Sequence, residues 1–446
     1  MWVERKHIDS HSVSRRGLLR GIVAGALWGP AARKTAAQQQ PVKPWEPPTG
    51  FKLSKEDDQF LDDLEKANFQ FFWEQGDPGT GLIKDRCNVR ETDKTGVASI
   101  AATGFGLTAL CIAAKRGYIS HSDARNRVLA TLQFLWKTMP EHRGFFYHWV
   151  NVKTGDRTWD SELSSIDTAI LLCGVLTCRQ HFRHAEITRL ARQIFNRVEW
   201  NWLSEDTSLL PQGWLPDLGF LPYRWDLYSE LMMMYLLGLG SSTHPLPAAT
   251  WNAWKRTIFE YDGLRYIGAF APLFVHQYSQ AWFDFRGKRD KYADYFKNSA
   301  IATEAHRRFC LELARQFPDY SNDLWGITAS DSEHGYVIWG GPPEMGPIDG
   351  TVVPSATGGS LPFLSEPSLR VLKNIKEKYG TGAWSRYGFV NAFNPLKNWY
   401  DTDVIGIDTG ITMLMAENLR TSFVWDTFMK NREATVGLER AGFQKY

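Results

Sequence analysis

YRWDLYSELMMMYLLGLGSSTHP, residues 223–245, is the stretch whose reading decides the fold. Its centre, residues 227–239, is apolar on nearly every side, the pattern of a helix buried among other helices. Gly238 and Gly240, then Pro245, supply the stop. One carboxylate, Glu230, stands at the start of this run beside Tyr228 and Ser229. Desolvating an ionised carboxylate is costly unless it is paired, hydrogen-bonded or facing a wet cavity. A helix N-terminus also favours its charge. Two readings stay open: a capping, structural Glu, or a catalytic acid of raised pKa that looks into a pocket.

The same kind of segment recurs on either side. Residues 99–116 and 161–182 are again almost wholly apolar, whereas 123–139 and 184–200 are amphipathic. A helix opens near Ser54, where Ser-Lys-Glu-Asp offers a cap and an acidic first turn. Further helices are predicted over 248–260, 291–317, 368–379, 405–420 and 422–430, with a short strand or hairpin in the aromatic-rich 144–155. Helices apolar all round thus alternate with amphipathic ones, as two concentric rings require: the inner ring is buried on both sides, the outer on one. Few segments show period-two alternation, which excludes βαβ and all-β architectures. The Gly/Pro-rich stretch 321–365 is longer than a connector needs to be and is a candidate for building a site.

Of the 446 residues 43% are hydrophobic and 22% charged, the profile of a soluble globular chain. Nineteen Trp are a surplus; such rings offer flat apolar faces with a polar handle to a carbohydrate, and equally fill a core. At the N-terminus, Ser14-Arg15-Arg16-Gly17-Leu18-Leu19 is a twin-arginine pattern, followed by an apolar run over 21–28 and by Ala36-Ala37. This reads as a Tat-type export signal cleaved near Ala37, which places the protein in the periplasm or outside the cell. The expected organisation is a signal peptide over 1–37, a Pro- and Gln-rich linker over 38–53, and one domain over 54–446. No stretch reaches membrane-spanning length, so no stable membrane insertion is expected. Without residues 1–37 the chain has 44 basic and 47 acidic residues, a net charge of −3, and no basic stripe that would suit nucleic acid. The five cysteines are expected as free buried thiols, since Tat substrates fold in a reducing compartment. Cys173 and Cys178 lie five apart without a His partner, which argues against zinc.

Four further constellations carry chemistry. In Trp159-Asp160-Ser161-Glu162-Leu163-Ser164-Ser165-Ile166-Asp167-Thr168 the two aspartates are seven apart, a spacing that shares one helix face; N-capping by Asp160 or Ser161 is the alternative. Residues 276–287, HQYSQAWFDFRG, interleave hydrogen-bonding groups with rings, as a polyhydroxylated ligand demands. Residues 324–331 and 335–354 (with Trp325, Asp331 and Trp339) and residues 386–395 leading to Trp399 and Asp408 complete the set. No glycine spacing matches a phosphate loop, and neither HExxH nor GxSxG occurs.

These segments together resemble the bacterial glucoamylase-like family that includes endo-β-1,2-glucanases, and the glycoamylase-like domain of cyclic β-1,2-glucan synthases. The resemblance covers residues 55–446 in order. It implies an (α/α)6 toroid, a cleft at one end, no metal or organic cofactor, and glycoside hydrolysis with inversion by two carboxylates. On the family's motifs Glu230 falls at the acidic position of the central helix and becomes the general acid, and Asp160 or Asp167 would handle the water. Trp225, Tyr228, His276, Gln277, Trp282, Arg286, Trp325, Asp331, Trp339 and Trp399 become the expected lining of the cleft. Tyr-Ser-Glu stands here in place of a Tyr-Asn-Glu-like variant, which alters hydrogen bonding at that subsite. The expected protein is a monomer whose partner is an oligo- or polysaccharide. A glucan transglycosylase, a non-hydrolytic glycan binder, and a lyase-like toroid using His276 with Tyr278 are the alternatives.

Overall fold

In the computed structural model residues 45–446 are described, apart from 205–206, 270–271 and 344. The expected signal peptide and the first half of the linker lie outside the described residues.

Among the described residues, six helices are buried around most or all of their circumference. These are α2 (Ile100–Arg116), α4 (Ser165–Phe182), α6 (Met232–Gly240), α7 (Tyr278–Trp282), α9 (Pro354–Gly358) and α11 (Gly406–Thr421). Around them lie half-buried helices: α1 (Lys55–Glu74), α3 (His121–Lys137), α5 (Ala185–Asn196), α8 (Tyr295–Leu313) and α10 (Ser365–Ala383). Two more follow α11: α12 (Phe423–Phe428) packs against α4 and α7, and α13 (Arg432–Arg440) lies along α6, where Gly437 comes close to the Leu236 carbonyl. This is the double ring expected from the alternation of the two helix types, an (α/α)6 toroid.

Local chemistry explains several helix starts. The side chains of Ser54, Ser99, Ser120, Ser164 and Asp294 each accept a backbone N–H in the first turn of α1, α2, α3, α4 and α8. The inner helices are drawn tightly together by glycine. A Cβ on Gly174 of α4 would stand 2.2 Å from the carbonyl oxygen of Gly104 in α2, so the two backbones touch.

Short antiparallel ladders gather at the N-terminal end of the inner ring. Val97–Ser99 pairs with Trp149–Asn151, Leu163–Ser164 with Gly213–Leu215, and Arg86–Asn88 with Asp403–Ile405. Each of these ladders runs directly into an inner helix, α2, α4 and α11 in turn. The strands therefore fix where loop residues meet helix starts.

Three expected elements differ. The buried helix of the opening stretch starts at Met232 rather than at 227, which leaves Glu230 in the turn before it. The helix expected over 161–182 starts at Ser165, because Leu163 and Ser164 are paired as strand. Residues 248–260 form only a 3-10 turn, Ala248–Asn252, followed by a hairpin strand, Ile258–Tyr261.

Candidate active site

At the head of α4 the cap and the carboxylate hold one another. Asp167 donates its backbone N–H to Ser164 Oγ at 3.0 Å, and the Ser164 hydroxyl donates a short hydrogen bond back to Asp167 Oδ2. A histidine just ahead of the strand Trp149–Asn151 faces the same carboxylate: His148 Nε2 lies 3.5 Å from Asp167 Oδ2, and its Nδ1 lies 3.3 Å from Glu162 Oε1. The backbone fixes this row, with His148 N–H bonded to the Glu162 carbonyl at 3.0 Å and the His148 carbonyl accepting from Ile100 N–H at 3.3 Å. The ring stacks on Trp149 with centroids 3.7 Å apart and planes 10° from parallel. Only a doubly protonated imidazole can donate to both carboxylates at once.

Glu230 occupies the head of the adjacent inner helix, half-buried. The turn that carries it is tied down by α7: Ser279 Oγ donates to the Glu230 carbonyl at 2.8 Å and accepts Met233 N–H at 3.0 Å. A side chain from another helix thus caps α6, whose own Leu231 cannot. Two neighbours brace the stretch. Trp225 Nε1 donates to Ser165 Oγ at 3.0 Å, which joins it to the start of α4, and the Tyr228 hydroxyl meets His276 Nδ1 at 3.1 Å. Burial pushes the Tyr228 phenol up to about 12. Burial, helped by His306, brings the His276 imidazole down to about 3. Both rings of this pair are neutral at ordinary pH.

A third group lies before α11. Arg86 is held by Asp331 at 2.6 Å, Asp85 at 3.1 Å and Asp403 at 3.5 Å. Beside them Asp401 is pushed up to about 8, by burial first and then by the Asp331 and Asp403 charges. Asn391 connects this group to the helix: its Oδ1 accepts Asp331 N–H at 2.7 Å and its Nδ2 donates to Asp408 Oδ2 at 2.7 Å. Asp408 is the third residue of α11, as Asp167 is of α4, and both follow an Ile and precede a Thr. Acidic side chains therefore sit at the heads of three inner helices. Among the described residues no group of three or more His, Cys, Asp or Glu is placed to hold a metal ion, and no helix is long and apolar enough to cross a membrane.

The expected site residues divide. Glu230, Asp167, Trp225, Tyr228, His276 and Asp331 are brought to this end of the ring. Asp160 does not share a helix face with Asp167; it lies exposed in a turn with φ 49° ahead of the helix. Gln277, Trp282 and Trp325 are fully buried and so do not line a cleft. Gln277 Nε2 reaches the Ala356 carbonyl and Ser360 Oγ, and Trp282 Nε1 reaches Thr108 Oγ1. Arg286 is at the opposite end, stacked on Trp425 and bonded to Ser422 Oγ just beyond α11. Trp339 is buried with Nε1 on Ser330 Oγ, and Trp399 is half-buried in its hairpin. His276 pairs with Tyr228, and Tyr278 packs its ring against Phe105 and Phe274. His148, Arg86 and Asp401 were not anticipated. The Asp85-Arg86 dipeptide and the acidic Asp401-Thr402-Asp403 run were their only local signals.

A ring of buried helices with carboxylates at their heads is the class this fold and site define. Residues 222–432 match the family model described as "Glycoamylase: Putative glucoamylase". It is 27% identical over 423 residues to the exo β-1,2-glucooligosaccharide sophorohydrolase (non-reducing end) of Parabacteroides distasonis, covering 86% of this chain and 58% of that protein. The chain thus spans somewhat over half the length of that relative. Its fold matches the endo-β-1,2-glucanase of Chitinophaga pinensis, seen in complex with sophorotriose and glucose, with a TM-score of 0.82 and 28% identity over 88% of this chain and 99% of that one. The β-1,2-glucanase structure from Parabacteroides distasonis superposes with a TM-score of 0.82 at 25% identity, covering 89% of this chain and 61% of that chain.

Proposed function

We propose that this protein is an exported glycoside hydrolase that cleaves β-1,2-glucan with inversion at the anomeric carbon. The observation that carries the reading is the pair of carboxylates at the heads of adjacent inner helices: Glu230, half-buried before the apolar α6, and Asp167, held by Ser164 and His148 at the start of α4. Glycoside cleavage needs one protonated carboxyl at the leaving oxygen and one carboxylate that takes a proton from water. Glu230 donates its proton to the glycosidic oxygen. Asp167 draws the proton from a water that attacks the anomeric carbon from the opposite face, and the product leaves with inverted configuration. The likeness to β-1,2-glucan-cleaving relatives supports the substrate, and the twin-arginine segment supports export.

The test is to incubate the protein with linear β-1,2-glucan and separate the products by chromatography, with Glu230→Gln alongside. Short sophoro-oligosaccharides that vanish in the variant, with kcat down by about 10²–10⁴-fold, are expected. Products that persist with the variant would remove Glu230 from its role. No products from the wild type would overturn the substrate.

A further inference from the structure

Just ahead of Glu162 the chain makes an unusual turn. Trp159 and Asp160 have φ of 55° and 49°, two successive residues with side chains in the left-handed region that glycine prefers. The turn is clamped: Arg157 donates from Nη2 to the Asp160 carbonyl at 2.6 Å and from Nε to the Ser161 carbonyl at 2.6 Å. Ser161 N–H closes onto the Thr158 carbonyl at 3.1 Å, and Thr158 N–H onto the Trp149 carbonyl at 3.0 Å. What this strained, fixed turn displays is an indole. Trp159 is 51% exposed, the one exposed tryptophan among the described residues. Its ring stands edge-on to Trp149, with centroids 5.5 Å apart and planes at 69°. Trp149 in turn lies flat on His148, which faces Glu162 and Asp167. A continuous series of rings therefore leads from solvent to the carboxylate row.

Backbone strain is retained where the surroundings over-determine it, and such outliers gather at ligand sites. We infer that Trp159 is a distal sugar-binding platform, its exposed face stacking on a glucosyl unit of the glucan chain beyond those held at the carboxylates. The axial C–H faces of a pyranose match a flat apolar ring, and a ring whose backbone is already fixed loses little freedom on binding. The platform rests on the β-1,2-glucan reading above and makes the enzyme discriminate by chain length.

The experiment compares wild type, Trp159→Ala, Trp159→Phe and Trp159→Gly on sophorotriose-sized oligosaccharides and on long linear β-1,2-glucan. In Trp159→Ala, kcat/KM on the polymer is expected to fall about 3- to 10-fold through KM, and by a clearly smaller factor on the short substrate. Trp159→Phe should recover most of the difference. Trp159→Gly should lose it while its Tm stays at or above that of wild type, because glycine relieves the turn. Equal losses on both substrates, or none on the polymer, would overturn the platform and leave the hydrolase reading standing. A wild type inactive on every β-1,2-glucan would overturn that reading and the platform together.

Discussion

His148 Nε2 sits 3.5 Å from Asp167 Oδ2, so a residue of the loop before one ladder steers the first-turn carboxylate of an inner helix. The other ring nitrogen of the same imidazole, Nδ1, reaches Glu162, and the ring is held flat on Trp149. Two carboxylates without the ring between them would repel and turn apart. His148→Asn is therefore expected to lower kcat by about 10- to 100-fold through misplacement of Asp167. Steady-state kinetics beside a circular dichroism spectrum checks this. Unchanged kcat with intact fold would remove His148 from any positioning role.

Asp401 gives the protein a pH slope of predictable sign. Its carboxyl titrates at about 8 in the native chain, against 3.8 for an ordinary aspartate. Between these values the native state keeps a proton that the unfolded state has released. This group therefore lowers stability progressively as pH rises from about 4 to about 8, with no further change above. Asp401→Asn cannot ionise. It is expected to be more stable than wild type by about 1–3 kcal/mol at pH 8, with the difference closing towards pH 4. Urea unfolding at the two pH values measures it, and a gap independent of pH would refute the assignment.

The contact between α2 and α4 leaves no room for a methyl group. A Cβ on Gly174 meets the Gly104 backbone, which cannot swing aside as a side chain would. Gly174→Ala is expected to cost ~2–3 kcal/mol despite the better helix propensity of alanine. A thermal melt decides the sign: a Tm equal to or above wild type would mean the helices can part freely.

Far from the site, Arg420 ties α11 to α1. It contacts Glu65 and Asp58 at 2.8 Å and Asp62 at 3.0 Å, and Glu65 is wholly buried. Burial raises the Glu65 carboxyl well above the usual range, followed by the nearby Glu417 charge. Arg420→Leu leaves that acid only Arg116 at 3.8 Å and the Tyr118 hydroxyl, and should destabilise the fold by ~2–4 kcal/mol. The double variant Glu65→Leu with Arg420→Leu should recover most of the loss. Equal instability of single and double variants would show that packing, not charge pairing, dominates there.

The ring of helices was legible in the sequence because its signal is local. A helix apolar on every side must be buried on every side, and α2, α4, α6 and α11 state this over one or two turns each. Ser54 announced the start of α1 in the same way, through its own neighbours. The placement of Glu230 and Asp167 beside buried helices was legible too, since each stands next to an apolar run. The exact start of α6 was not, since its cap comes from Ser279, nearly fifty residues onward. Nor was the separation of Asp160 from Asp167, which depends on Leu163 and Ser164 pairing with Trp214 and Gly213.

By itself, then, the sequence of this protein determined which helices lie inside and which outside, because hydrophobic periodicity depends only on residues a turn apart. Tertiary structure alone decided which polar groups meet. His148 reaches Glu162 and Asp167 only because Trp149–Asn151 pairs with the strand before α2, and Arg86 meets Asp331 and Asp403 only once the ring has closed. Hydrogen bonds and ion pairs act over a few ångströms, and chain closure, not sequence spacing, brings such groups within that reach.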